Sequence, residues 1–147
     1  MRKQTFASGF LIASLASFFV LMTFLAQPAL AQLAKKKLWV APPRVVNLKN
    51  PIAGNDSTIK EGRALYVPYC APCHGIKGDG KGPANASLSP NPANHTAISM
   101  SNETDGTLFY KISEGRSPMP ENKSELTEAQ IWELVIYLRT LTKVKKS

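Results

Sequence analysis

Apolar residues repeat with the period of an α-helix near the C-terminal end of the chain. Their spacing of 0, 3, 4 and 7 positions puts four side chains on one helical face, and these residues are Ile131, Leu134, Val135 and Leu138. Just before them, Thr127-x-x-Gln130 has the form of a capping box, in which each side chain satisfies a backbone N–H at the helix start. This pattern predicts a helix that begins at about Thr127 and buries one face.

Two further helices are predicted upstream. Thr58-x-x-Glu61 resembles another capping box and predicts a helix from about Ile59 toward Cys70, with its last turn kinked or interrupted by Pro68. A shorter helix is predicted from about Thr104 or Asp105 to Gly115, a residue that suits a left-handed helix C-cap. No segment alternates like a strand and no internal repeat is present, so the predicted fold class is all-α.

The first residues have the order of an export signal. Arg2 and Lys3 precede an apolar run, Phe6 to Ala26, and small residues follow up to Ala31, so residues 1–31 are predicted to be a signal peptide. An uncleaved membrane anchor is the alternative, because a helix of this length spans about 30 Å. Either form puts the rest of the chain in the periplasm, free or anchored to the outer face of the cytoplasmic membrane.

The next segment, residues 32–57, is basic and rich in proline and is predicted to be an extended strap or tether. Trp39 and Val45 are too apolar for a fully solvated linker, so part of the strap is expected to lie against the domain that follows. Residues 58–147 are expected to form that domain. A chain of 147 residues with 44% apolar residues has room for one small domain.

The formal net charge of +8 suits an acidic protein partner or an anionic membrane surface through long-range attraction. The alternative is that scattered lysines only keep the protein soluble. No nucleic acid is expected as a partner.

The candidate chemistry is concentrated in Cys70-Ala71-Pro72-Cys73-His74, which contains the only two cysteines of the chain. Two thiols three residues apart on a tight turn can add to the two vinyl groups at the edge of a haem, and the following imidazole then falls under the iron. The motif predicts one covalently bound haem c, with Cys70 and Cys73 as thioethers and His74 as the proximal iron ligand.

Three other interpretations of this motif are weaker. A thioredoxin-like dithiol normally follows a βαβ pattern, which is missing here. A zinc site that recruits His95 would need adjacent Cys73 and His74 at two corners of one tetrahedron. A disulfide between Cys70 and Cys73 would close a very small ring and leave His74 without a role.

A sixth ligand to the iron is predicted at Met119, whose backbone is restricted by Pro118 and Pro120. Met100 and His95 are the alternatives. A second histidine ligand would give a lower reduction potential, whereas a thioether ligand raises it.

These residues resemble the class I cytochrome c family, in particular its bacterial mono-haem domains, over roughly Thr58 to Leu141. Gly62, Tyr66 and Cys70 are similar to that family's first helix, where a small glycine permits close crossing by the last helix. Gly115-x-x-x-Met119-Pro120 resembles its distal-ligand loop. The resemblance implies a fold of three to four helices around one haem and strengthens Met119 as the distal ligand. It also implies that the carbonyl of Pro83 accepts a hydrogen bond from His74.

The function that follows is one-electron transfer, with a redox protein as donor and another as acceptor. Pro68 and the long strap depart from the simple shuttles of the family and favour a respiratory complex subunit or a tethered donor over a free carrier. No catalytic constellation is visible, so the chain is not expected to be an enzyme. The alternative is a haem-based enzyme, or a sensor of peroxide or a gas, in which Met119 leaves the iron.

Overall fold

The computed structural model describes residues 38–142. The apolar run from Phe6 to Ala26 and the predicted cleavage after Ala31 lie outside the described residues. Within the described range, none of the helices is both long enough and apolar enough to cross a bilayer.

Residues 38–142 contain five α-helices and no strand. The helices are α1 (Pro43–Val46), α2 (Asp56–Tyr69), α3 (Ala71–His74), α4 (Asp105–Glu114) and α5 (Glu128–Leu141), with short 3-10 helices at Asn85–Ser87 and Ile98–Asn102. Two of the five, α1 and α3, are single turns. The all-α prediction is therefore confirmed.

Helix α5 forms as its sequence predicts. Thr127 is the N-cap, and it exchanges side-chain hydrogen bonds with Gln130 in a capping box. The four residues of the predicted face are at most 4% exposed. Helix α4 is also confirmed, with Thr104 as its N-cap and Gly115 as its C-cap at a φ of 59°. Both helices begin at side-chain caps that act within three residues.

Helix α2 begins earlier than predicted. Asn55, not Thr58, is the N-cap: its side chain accepts from the Thr58 N–H at 3.1 Å, and its own N–H donates to the Thr58 hydroxyl at 3.0 Å. The predicted box of Thr58 and Glu61 is wrong because Asn caps at least as well as Thr. The helix ends at Tyr69, directly after Pro68, which agrees with the predicted interruption of its last turn.

The crossing of α2 and α5 organises the core. A Cβ atom at Gly62 would overlap the backbone carbonyl oxygen of Glu133 and lie 2.9 Å from Cβ of Tyr137, so only glycine permits this approach. One turn later, Tyr66 is fully buried and packs against Tyr137, with ring centroids 5.2 Å apart. The close crossing implied by the family resemblance is therefore present.

The strap is more structured than predicted. Its residues from Ala41 onward are part of the same compact unit as the helices that follow, and α1 forms one helical turn after Pro42. The Val45 carbonyl packs directly on Gly106 of α4, and the Asn50 side chain donates to the Trp132 carbonyl of α5 at 3.0 Å. Residues 41–57 thus pack on the domain rather than forming a free tether.

Two carboxylates meet at the crossing of α2 and α5. Burial raises the pKa of Glu133 above its ordinary 4.5, and the charge of Glu61, with which it shares a hydrogen bond, adds to the shift. The folded protein then holds a proton more tightly than the unfolded chain does. The free energy of unfolding therefore falls as the pH rises from the ordinary pKa of 4.5 to the raised pKa of the folded protein.

Glu133→Gln is expected to raise the free energy of unfolding at pH 7 by about 0.5 kcal/mol, a typical size for a surface charge pair. Urea denaturation at pH 7 and at pH 4 measures this gain, which should shrink at the lower pH, which lies below the ordinary pKa of 4.5 and further below the raised pKa of the folded protein. Glu61→Gln should give a similar gain, and the double variant should add little to either. An equal gain at both pH values would contradict repulsion as the cause.

Candidate haem-binding site

The two cysteines and His74 lie on one tight turn between α2 and α3. Cys70 is the C-cap of α2 and the N-cap of α3. Its carbonyl accepts from the backbone N–H of Cys73 at 3.2 Å and of His74 at 2.8 Å. Both thiols are partly exposed and form no disulfide. The turn thus presents two unpaired thiols and one imidazole from five consecutive residues.

A glycine-rich loop, residues 75–84, binds this turn through hydrogen bonds from its backbone. The N–H groups at alternate loop positions donate to successive carbonyls of the turn: Gly80 to His74 at 2.8 Å, Gly82 to Cys73 at 3.1 Å, and Ala84 to Pro72 at 3.0 Å. A Cβ at Gly82 would overlap the turn's backbone. The loop therefore satisfies carbonyls that the end of α3 would otherwise leave unpaired.

The imidazole of His74 is held by a carbonyl other than the expected one. Its Nδ1 donates to the Ala93 carbonyl at 2.9 Å, so the acceptor is Ala93 and not Pro83. The N–H groups on either side of Pro83 bond to the backbone of the turn, and it is the later segment around Ala93 that reaches the imidazole. The expectation that the Pro83 carbonyl accepts the hydrogen bond from His74 is therefore wrong for this structure.

This hydrogen bond decides the tautomer of His74. A carbonyl only accepts, so Nδ1 carries a proton, and in the neutral ring Nε2 then keeps its lone pair. Burial lowers the pKa of His74, and the bond to Ala93 acts in the opposite direction. The ring is thus neutral, with the nitrogen that a metal would bind left unprotonated.

The surroundings of the two cysteines do not suit dithiol chemistry. Burial raises the pKa of the Cys70 thiol to about 12, and Cys73 adds to the shift, whereas catalytic dithiols need a lowered pKa to form thiolate. Zinc also fits poorly: within residues 38–142, no group of three or more His, Cys, Asp or Glu side chains could hold a metal ion. Thioether formation to a haem remains the chemistry that suits this pair.

Met119 lies in a loop that is tied down on both sides. Its backbone exchanges two hydrogen bonds of 2.9 Å with that of Arg116. The buried side chain of Asn122 donates to the Ile112 carbonyl of α4 at 2.9 Å. The Met119 side chain is partly buried against the core cluster that also contacts Cys70 and Met100. Met119 and Met100 thus pack on the same core as the haem-binding turn.

His95 lies beside His74, and their rings stack with centroids 4.2 Å apart and an angle of 18° between the planes. Axial ligands must approach an iron from opposite sides of the haem, so two rings in face-to-face contact cannot be that pair. This geometry argues against His95 as the distal ligand and against the zinc alternative that enlists it. Burial lowers the pKa of His95 to about 3, so the ring is neutral.

Sequence reasoning missed three groups at this site: the Ala93 carbonyl, the Tyr66 hydroxyl and the Asn122 side chain. The Tyr66 hydroxyl donates to the Gly75 carbonyl at 3.1 Å. Tyr66 and Asn122 each join segments nine or ten residues apart in the chain. A polar residue beside the ligand loop could have indicated Asn122, but no local pattern singles out Ala93.

The donor set fits a covalently bound haem c. Two unpaired thiols at the required spacing, a neutral imidazole with an unprotonated Nε2, and a partly buried thioether in a fixed loop are the groups that such a haem needs.

Comparisons with known proteins show the family of the chain. The family model described as "Cytochrome C oxidase, cbb3-type, subunit III" matches residues 57–138, which is more than half of the chain. No curated protein matches the sequence.

Among solved structures, a chain of the reducing HAO-like protein complex of Kuenenia stuttgartiensis superposes with a TM-score of 0.57 at 21% identity, over 76% of this chain and 54% of that chain. Cytochrome CL of Methylophaga aminisulfidivorans gives a TM-score of 0.48 at 24% identity, over 72% of this chain and 71% of that one. The likeness to the first concerns the fold alone, and the present chain spans only about half of its length.

Proposed function

The chain belongs to the family of the cbb3-type cytochrome c oxidase subunit III, and from this premise we propose that it passes single electrons between redox proteins in the periplasm. As a c-type cytochrome it carries covalently bound haem c and takes part in electron transport. In this proposal Cys70 and Cys73 would hold the haem, and His74 and Met119 would bind its iron.

The observation that carries the proposal is the tautomer of His74. Its Nδ1–H is committed to the Ala93 carbonyl at 2.9 Å, so Nε2 is the nitrogen with a lone pair for iron. The two unpaired thiols lie on the same turn. Together they support covalent attachment and proximal ligation by one short segment.

When bound, the haem supplies exchange between Fe(III) and Fe(II). The protein's residues supply the conditions: Cys70 and Cys73 fix the position, and His74 is held at one tautomer. Tyr66, Leu108 and their neighbours form the buried apolar core against which Cys70 and Met119 pack. With haem bound, a thioether at Met119 would favour the ferrous state and raise the potential, and apolar burial would oppose the extra charge of the ferric state.

The partners proposed are an acidic redox protein and a second redox protein, with the chain acting as a carrier or as a subunit of a respiratory complex. Two lysines near the Met119 loop already form ion pairs, Lys111 with Glu103 and Lys123 with Glu114. Lys77 and Lys81 are exposed and lie in the glycine-rich loop, so they are the better candidates to steer an acidic redox partner to the site. Electron-transfer rates that do not fall as salt rises would rule out this steering.

The periplasmic location rests on residues 1–31 and on the kind of haem attachment. The charged start, apolar run and small residues of that segment have the order of a signal peptide. Retention of the segment would instead anchor the protein to the outer face of the cytoplasmic membrane.

The optical spectrum of the purified holoprotein tests the function. Electron transfer with both axial positions filled predicts a methionine-to-iron charge-transfer band in the ferric form. That band should persist with added cyanide, and the ferrous spectrum should not change with carbon monoxide. Rapid binding of either ligand by the wild type would contradict the proposal and favour an enzyme or sensor in which Met119 leaves the iron.

A further inference from the structure

His95 is a buried residue for which electron transfer assigns no role. Its side chain is 8% exposed, and its ring lies face to face with that of His74, with centroids 4.2 Å apart and planes within 18°. Because the two rings touch on their faces, His95 cannot be a second axial ligand. Its contact with the proposed proximal ligand therefore needs another explanation.

Three hydrogen bonds hold His95 in place. Its backbone N–H donates to the Gly78 carbonyl at 2.6 Å, and its carbonyl accepts from the Thr142 hydroxyl at 3.2 Å. The ring Nδ1 lies 3.3 Å from the Tyr66 hydroxyl. That hydroxyl has one proton, which it donates to the Gly75 carbonyl, so Nδ1–H of His95 is the donor to Tyr66. Both the ring and the backbone of His95 are thus fixed.

The bond from His74 to Ala93 restrains one point of the His74 ring. A single hydrogen bond fixes the direction of Nδ1 but still allows the ring plane to rock about that point. A flat surface against the ring face removes this rocking. Ala93 and His95 are two residues apart, so one short segment supplies both the acceptor and the flat surface.

We propose that His95 is a positioning residue that sets the plane of the His74 imidazole, with Tyr66 holding the His95 ring in register. The inference rests on the proposed function, because it takes His74 as the iron ligand. The orientation of an axial imidazole controls how the ligand's π orbitals meet those of the iron. Displacement of the plane should therefore change the electronic structure of the ferric haem while covalent attachment stays intact.

The test compares His95→Leu, His95→Phe and Tyr66→Phe as purified holoproteins. The readouts are the low-spin ferric EPR spectrum and the paramagnetic NMR shifts of the haem methyl groups, both of which report ligand orientation. His95→Leu, which removes the flat ring, should shift the largest g value and the spread of the methyl shifts. His95→Phe keeps a flat ring but loses the hydrogen bond to Tyr66, so its shift should be no larger than that of Tyr66→Phe and well below that of His95→Leu. Tyr66→Phe should shift the spectra in the same direction as His95→Leu, by a smaller amount.

A matched control separates positioning from stability. Asn50→Ala removes the hydrogen bond to the Trp132 carbonyl, so it should lower the denaturation midpoint without moving either spectrum. An unchanged spectrum in His95→Leu, or in Tyr66→Phe if His95→Leu does not accumulate, would overturn the inference. A shift in His95→Phe as large as that in His95→Leu would also overturn it.

Failure of the proposed function would look different. In that case the wild type itself would lack covalent haem or a low-spin ferric spectrum. Failure of the positioning role would appear only in the variants, against a normal wild type.

Discussion

Met119→Ala is expected to lower the midpoint potential of the haem by on the order of 0.1 V, within the span of about 0.8 V that axial ligands control. A thioether stabilises Fe(II) over Fe(III), so its loss favours the ferric form. The variant should also bind carbon monoxide in the ferrous state, because the sixth position opens to small molecules. Potentiometric titration and the ferrous spectrum under carbon monoxide measure both effects.

Met100→Ala is the matched control, because Met100 is also partly buried against the same core. Its backbone carbonyl accepts from Arg139 at 3.1 Å, a bond that does not depend on the side chain. The control should keep a potential close to that of the wild type and should not bind carbon monoxide. If Met100→Ala gave the large fall and Met119→Ala did not, the distal ligand would be Met100.

Gly62→Val is expected to cost about 3 kcal/mol or more of folding free energy, at or above the usual cost of overpacking a core. A Cβ at this position overlaps a backbone carbonyl oxygen on α5, and a backbone atom cannot rotate away as a side chain can. Relief requires α2 and α5 to separate, which would disturb the packing around Tyr66. Because small domains are stable by only about 5–15 kcal/mol, the yield of holoprotein should fall sharply.

Gly54→Ala is the control for Gly62→Val. A Cβ at Gly54 would meet only the Cγ2 atom of Ile136, at 3.8 Å, which is an ordinary van der Waals contact. This variant should be neutral or stabilising by up to about 1 kcal/mol, because alanine reduces the freedom of the unfolded chain. Urea denaturation of both holoproteins gives the comparison. Equal midpoints for Gly62→Val and the wild type would show that the helices do not cross as closely as described.

Local signals explain why α4 and α5 could be predicted from the sequence. Each has a side-chain cap that acts within three residues, and α5 also carries an apolar face of helical period. The sequence alone does not place the start of α2, because Asn55 and Thr58 both resemble N-caps and only the three-dimensional structure shows that they act together.

The candidate site also contains residues that the sequence could predict and residues that it could not. Cys70, Cys73 and His74 lie within five consecutive residues, so their spacing alone indicates their chemistry. The Ala93 carbonyl and the His95 ring could not be predicted, because a backbone acceptor has no sequence signature and the stacking joins positions 21 residues apart in the chain. The assignments of Met119 and His74 as iron ligands stay predictions.

Intact mass spectrometry under denaturing conditions tests whether Cys70 and Cys73 bind one haem covalently. The exported wild-type protein should exceed a Cys70→Ser, Cys73→Ser variant by the mass of one haem, after the two substitutions are taken into account. The comparison holds whether or not residues 1–31 have been removed, and the absolute mass reports that removal separately. A wild-type protein with the mass of the bare polypeptide would contradict the account.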